Sequence, residues 1–228
     1  MYFGAQSDWA KANFNILLNN EKIETVDEYK NLGVLFDSKL RFRSQVSKIV
    51  KTSYYSLRNL YKSKHILNRQ LRKQLCESLV LSHCNYCSFV YGPCLDAESK
   101  YRLQKIQNSC IILIFDLRLS DHVSSKLRVL NWLNIESRQK LHFACFLHKL
   151  LNSDKPKYLR EKLIITSSRQ NRRCNFAIPK HRTALFQRSF SYRAPKLINS
   201  EAFRSLREKS INGFKKHFKY YLLNETGN

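Results

Sequence analysis

Ser44-Gln45-Val46-Ser47-Lys48-Ile49-Val50-Lys51-Thr52-Ser53-Tyr54-Tyr55-Ser56-Leu57-Arg58-Asn59-Leu60-Tyr61-Lys62 decides the fold class. Its apolar residues Val46, Ile49, Val50, Leu57, Leu60 and Tyr61 mark one face of a helix. Lys48, Lys51, Arg58 and Lys62 fall on other faces. The same period runs on downstream. Asn68 is placed to cap a second helix that turns Leu71, Leu75, Leu79 and Val80 inward, and Gly92-Pro93 ends it. Asp96 is placed to cap a third, through Leu103, Ile106, Cys110 and Leu113. A short element holds Leu127, Leu130 and Leu133. Ile135 to Leu151 is apolar around much of its circumference, which predicts a helix near the centre of a bundle closed by Lys155-Pro156.

Upstream, residues 1–43 read as β. Phe14-Asn15-Ile16-Leu17-Leu18, Lys22-Ile23-Glu24 and Leu32-Gly33-Val34-Leu35-Phe36 are short apolar runs, and Asn19-Asn20 is a turn signal. Gly33 inside a strand predicts a bulge or a close backbone approach. Three short strands do not stand alone and read as the edge of a larger sheet. Downstream, Lys162 to Ser200 holds nine Lys or Arg and no Asp or Glu. Arg172, Arg173, Lys180, Arg182, Arg188 and Arg193 alternate there with Phe176, Phe186, Phe190 and Tyr192, while Pro179 and Pro195 argue against a long helix. Ser205-Leu206-Arg207-Glu208 has the capping-box pattern and predicts the start of a last helix. That helix sets Ile211, Phe214, Phe218, Tyr221 and Leu222 on one face, with Lys209, Lys215, Lys216 and Lys219 around the rest. The expectation is a mainly α chain. It comprises a small N-terminal β-hairpin region (1–43), a multi-helix bundle (44–161) and a basic C-terminal helical region (162–228).

The 228 residues are 43% hydrophobic, enough for one sizeable core or two small ones. Five glycines and four prolines argue against a β-sandwich or a disordered chain. The charge is the strongest physical fact: 41 Lys and Arg face 17 Asp and Glu, a net +24. Such an excess repels itself in a compact fold, and a polyanion relieves it. The plainer reading is a general bias toward Lys and Asn. The seven cysteines lack secreted-type spacing, and no signal-peptide pattern opens the chain, so we expect reduced thiols in an intracellular protein. The longest apolar run, Cys110 to Phe115, is far too short for a bilayer.

Chemistry-bearing constellations are few. Nucleotidyl transfer needs clustered carboxylates to hold Mg²⁺, but the seven aspartates include no adjacent pair. His83-Cys84-Asn85-Tyr86-Cys87 with Cys94 is half of a zinc knuckle without a second pair, and packed thiols are the preferred reading. Cys145 and His148 share a helix face, as do many core residues, and no Gly-x-Ser-x-Gly, Walker loop or His-Glu-x-x-His occurs. The acid-free stretch is the best binding candidate: arginines chelate phosphates and interleaved aromatics can stack on unpaired bases. Its alternative is a basic surface whose Phe residues pack on the core.

An ordered series of short segments adds to this. It runs Met1-Tyr2-Phe3-Gly4, Tyr29-Lys30-Asn31-Leu32-Gly33-Val34, Asp37-Ser38-Lys39-Leu40-Arg41-Phe42 and Leu103-Gln104-Lys105-Ile106-Gln107-Asn108. It ends with Ser189-Phe190 and Phe214-Lys215-Lys216 running into Tyr221-Leu222-Leu223. In order and separation it resembles the C-terminal third of a non-LTR (LINE-type, jockey-like) retrotransposon reverse transcriptase. The resemblance implies a palm-edge hairpin that holds the primer, with Lys30 toward a phosphate and Gly33 allowing close approach. It implies a thumb whose Lys48, Lys51 and Arg58 lie along a duplex, and a basic region beyond it that includes Lys215, Lys216 and Lys219. In that family the catalytic aspartates lie upstream of this point, so it implies no polymerase activity for this chain alone and Mg²⁺ only in the missing palm. The implied partners are RNA template, DNA primer or target, and the polymerase portion itself; no membrane is implied. The compartment would be the nucleus or a cytoplasmic ribonucleoprotein. The sequence departs from the family at Asn31, Ile112, Ile198 and Glu201-Ala202. The alternatives are a host-adopted RNA-binding or protein-interaction module, or a non-functional truncated copy.

Overall fold

The computed structural model describes residues 1–4, 6–166 and 175–225. It is mainly helical, at 62% helix, with small two-stranded hairpins that include an N-terminal one, as the periodicity predicts. Contacts gather the chain into two units, Met1–Lys126 and Leu127–Asn228, where the sequence suggested three stretches.

The first unit opens with a helix where strands were expected. Met1-Tyr2-Phe3-Gly4 forms no ladder, and α1 covers Ser7–Asn13, with Asp8 in its first turn and Lys11 in its last, the polarity that suits the helix dipole. Two hairpins follow, β1 (Leu17–Leu18) with β2 (Glu21–Lys22) and β3 (Glu28–Asn31) with β4 (Val34–Asp37). Both turn on two residues of positive φ, Asn19-Asn20 and Leu32-Gly33, the left-handed pair that matches strand twist. Gly33 is therefore neither in a strand nor at a bulge. Its φ of 85° places it in the turn, a conformation that a Cβ would strain.

The loop after β4 explains the Asp37–Phe42 segment. The Asp37 carboxylate accepts from the backbone N–H of Lys39 (3.1 Å), Arg41 (2.9 Å) and Phe42 (2.5 Å). It thereby satisfies donors that the start of α2 (Arg43–Lys62) would leave bare. Phe42 sits in the left-handed region and is buried against Phe36 and Tyr91. Helix α2 buries Val46, Ile49, Leu57 and Leu60 as predicted, while Tyr61 stays exposed. Its partner is α6 (Ala97–Phe115), whose buried face is Leu103, Ile106, Cys110, Ile111, Leu113 and Ile114. Arg43 clamps the two helices by donating to Asp96, which also caps α6.

Between them the chain forms α3 (Arg69–Leu75), α4 (Leu81–Asn85) and α5 (Ser88–Tyr91). Asn68 caps α3 as predicted, accepting from the Leu71 N–H at 2.8 Å. The predicted inward face is wrong. Leu71 and Leu79 are exposed and Leu75 is half-buried; Cys76, Val80, Leu81 and Cys84 are buried instead. The cause is a π-turn at Cys76–Val80, which adds a residue and rotates the frame by about 100°.

Helix α7 (Ser124–Val129) leads into the second unit. There α8 (Ile135–Ser153), capped by Asn134, buries Leu141, Phe143, Ala144, Leu147 and Leu150, the central helix that the sequence predicts. After α9 (Lys157–Arg160), strands β5 (Ile165–Thr166) and β6 (Asn175–Phe176) pair. Then come α10 (Ala184–Gln187), α11 (Phe190–Ile198), α12 (Glu201–Arg204) and α13 (Ile211–Glu225). Pro195 lies within α11, a helix of only nine residues. The Asn199 side-chain amide pairs with both backbone groups of Phe176 (3.0 and 2.8 Å), fastening β6 to the end of α11.

The predicted capping box at Ser205–Glu208 is corrected. Ser205 closes α12, with its hydroxyl donating to Ala202 O. Ser210 sits at the start of α13 and accepts from the Gly213 N–H. The reason is packing: α12 must end so that Phe203 can meet Phe214 (5.1 Å between rings) and Phe218. Phe214, Phe218 and Leu222 are buried as predicted; Tyr221 is exposed. Among the described residues no helix is long and apolar enough to cross a membrane.

Candidate nucleic-acid interface

In the first unit, the β3–β4 turn brings together three of the residues singled out from the sequence. Lys30 is exposed on β3, paired across the ladder with Leu35. Lys48, one turn into α2, donates from Nζ to Gly33 O at 3.2 Å. Gly33 does meet a close neighbour, but it is the ring of Tyr86, 3.5 Å from where a Cβ would stand. The Tyr86 hydroxyl also donates to Leu32 O at 2.6 Å, so the turn is seated on the helical layer.

Further along α2, Lys51 and Arg58 are exposed. With Tyr55 and Lys62 they form a row at i, i+4, i+7 and i+11, which is one face of a helix. Tyr55 is 70% exposed. Sequence reasoning passed it over because a tyrosine among apolar residues reads as core. The row combines cations for phosphates with an aromatic plane for a base.

Other cations of this unit are committed to holding it together. Arg72 of α3 donates to three carbonyls, Leu67 O (2.8 Å), Lys64 O (2.9 Å) and Leu113 O (3.1 Å). The last is in the final turn of α6, where a cation suits the helix dipole. Lys11 pairs with Asp27 (3.0 Å), Lys39 with Asp8 (3.2 Å) and Lys64 with Asp116. The Lys64 ammonium holds the Asp116 carboxyl below its usual range. Asp96 is driven down to about 2, first by the Ser99 hydroxyl and backbone N–H and then by Arg43. Asp8, Asp27, Glu28 and Asp37 line a cleft of about 400 Å³. Each is already engaged, Glu28 by the Ser44 hydroxyl, so the cleft is a network of internal pairs.

In the second unit, Lys180, Arg182 and Arg188 are exposed, whereas Arg172 and Arg173 lie outside the described residues. The interleaved aromatics divide. Phe176 is buried beneath the Arg160 guanidinium, Phe190 packs edge-on against Phe143, and Tyr192 meets His181 and Lys196. Of the four, only Phe186 counts as exposed, so the stretch serves the core more than the sequence suggested. On α13, Lys215 and Lys216 are exposed and Lys219 is half-buried. Tyr220, 67% exposed and one turn beyond Lys216, was missed because it follows an otherwise basic run.

The charge is unevenly shared. Residues 1–126 carry 19 Lys and Arg against 11 Asp and Glu, and residues 127–228 carry 22 against 6. The second unit thus holds +16 of the net +24 on the shorter stretch of chain.

Neither metal nor nucleophile chemistry finds a place. Among the described residues no three His, Cys, Asp or Glu side chains come together as metal ligands would. Cys84 is buried and Cys87 occupies a left-handed position between α4 and α5. Burial raises the Cys145 thiol above its ordinary pKa. His148 is buried with Nε2 facing Arg207 O (3.2 Å) and Lys209 O (3.0 Å), a structural seat below the α12–α13 corner. The chain matches no protein-family model, no curated protein and no solved structure.

Proposed function

We propose that this chain grips nucleic acid through its phosphates and is the thumb and following basic region of a LINE-type reverse transcriptase. The observation that carries the binding half is the second unit's charge, 22 cations against 6 carboxylates within 102 residues. No internal network of that size can neutralise it, and a phosphodiester backbone can. The exposed row on α2 and the exposed Lys215, Lys216 and Tyr220 on α13 supply the group types that a strand needs: charge for the backbone and flat rings for bases. The polymerase half rests on the ordered motifs. The chain itself carries no paired aspartates, so its role is to hold template and primer for carboxylates on other polypeptide. RNA is the preferred strand, and Mg²⁺ belongs to that other polypeptide.

A second reading, a protein-interaction module, is favoured by one observation. Trp9, Leu17, Leu18, Tyr29 and Leu32 are all exposed on the N-terminal hairpins, Leu32 to 84%. The same surface fits the first reading if the polymerase portion covers it.

Salt separates the two. Fluorescence anisotropy with a single-stranded RNA should show affinity falling linearly on a log–log scale, by about 0.7 per phosphate neutralised and by several in all. A complex indifferent to salt, or no complex in dilute buffer, overturns the phosphate-gripping reading.

A further inference from the structure

A second cationic row, absent from the residues picked out of the sequence, lies on α8. Arg138, His142, Cys145 and Lys149 follow the same i, i+4, i+7, i+11 spacing as the row on α2 and so share one helix face. Arg138, His142 and Cys145 are half-buried and Lys149 is exposed. Helix α13 runs antiparallel beside them. Its register is fixed at one end by Lys140 with Glu225 (2.8 Å) and at the other by His148 against Phe214 (4.4 Å between rings). That register carries Lys215, the neighbour of Phe214, to the α8 row. There it acts on both His142 and Cys145, while Lys149 acts on Cys145 from the other side.

We propose that a single strand of RNA lies along the seam between α8 and α13, its phosphates held by Arg138, Lys149 and Lys215, and that His142 takes up a proton as the strand lands. The proposal rests on the nucleic-acid reading above and gives it a path and a regulator. In the unbound protein His142 stands in a cationic setting. Arg138 faces it from its own helix and Lys215 from α13, and α11 adds Arg193, whose guanidinium lies 4.5 Å from the centre of the Phe143 ring. The carboxylates of α8 and α13 are Glu136 and Glu225, and Glu225 is already paired with Lys140. Burial first, then Arg138 and Lys215, hold the imidazole below its ordinary pKa, so it is neutral near pH 7. A phosphate placed between those cations cancels their repulsion and accepts a hydrogen bond from the imidazolium. The bound state therefore binds one more proton than the free state, and affinity must rise as pH falls.

The test uses the full chain, a fluorescein-labelled oligouridylate and anisotropy at about pH 7.5 and about pH 5.5. Wild type and His142→Gln should agree within about twofold at the higher pH, where the imidazole is neutral. At the lower pH wild type should bind about fivefold more tightly than the variant, within the tenfold-per-unit limit for one proton. Lys149→Gln with Lys215→Gln removes two exposed cations and should flatten the log–log salt slope by about 1.4. Lys155→Gln with Lys157→Gln, the same charge loss elsewhere in the unit, should leave the slope unchanged. If His142→Gln tracks wild type at both pH values, or both lysine pairs act alike, the strand runs elsewhere and this inference falls while nucleic-acid binding stands. If wild type ignores the oligonucleotide at low salt, both fall.

Discussion

The rows on α2 and α8 have the same spacing and opposite surroundings. On α2, Lys51, Tyr55, Arg58 and Lys62 are all exposed, on a unit where Asp8, Asp27, Asp96 and Asp116 take up Lys39, Lys11, Arg43 and Lys64. On α8, three of the four positions are half-buried, α13 stands alongside, and the whole unit has six carboxylates to share. The contrast shows that cation count alone does not mark an interface. The two units have nearly equal numbers of Lys and Arg; what differs is how many are occupied by the fold itself. A cation engaged inside a unit stabilises it, and one left facing solvent among its like repels until a polyanion arrives.

Arg72 gives the largest expected effect. Arg72→Ala strips three part-buried carbonyls of their donor and should destabilise the first unit by about 3 kcal/mol in chemical unfolding, while RNA affinity of the folded protein stays unchanged. A loss of affinity without a loss of stability would erase the distinction between the two kinds of cation. The converse variant, Lys215→Gln with Lys216→Gln, touches exposed side chains of α13. It should weaken RNA binding about tenfold at low salt and leave the thermal midpoint within the usual surface range of about ±0.5 kcal/mol.

Asp96 gives a smaller, pH-resolved effect. Its carboxyl is held down to about 2 in the folded chain, against an unfolded value near 4, by Ser99 and then Arg43. The stabilisation is fully present above about pH 4 and is lost as pH falls through about 2. Asp96 is partly exposed, so solvent screens the gain. Asp96→Asn should therefore cost some stability near neutrality, and its unfolding curve should converge on wild type as acid is added. Divergence in acid would contradict the sign.

Much of the helical frame was legible. The caps at Asn68 and Asp96, the buried face of α2 and the central place of α8 in its unit all follow from period and end signals. What was hidden depends on partners distant in sequence. The π-turn at Cys76–Val80 rephases a stripe that looked regular, because nothing local distinguishes an i+5 bond from an i+4 bond. The Ser205–Glu208 box lost to the demand of Phe203 for Phe214 and Phe218, a contact across a corner that no local pattern encodes. The Asp37 loop and the Arg72 clamp spend charged residues on backbone groups, a use that composition reports only as charge. The α8 row escaped notice because His142 and Cys145 interrupt its cations, and only α13 beside it makes the set read as one surface.

Amide hydrogen exchange with and without bound RNA tests the central claim most directly. The account predicts slowed exchange concentrated in the second unit, in α8 and α13, with a smaller change along α2. Protection confined to the first unit, or no change in either, would contradict it.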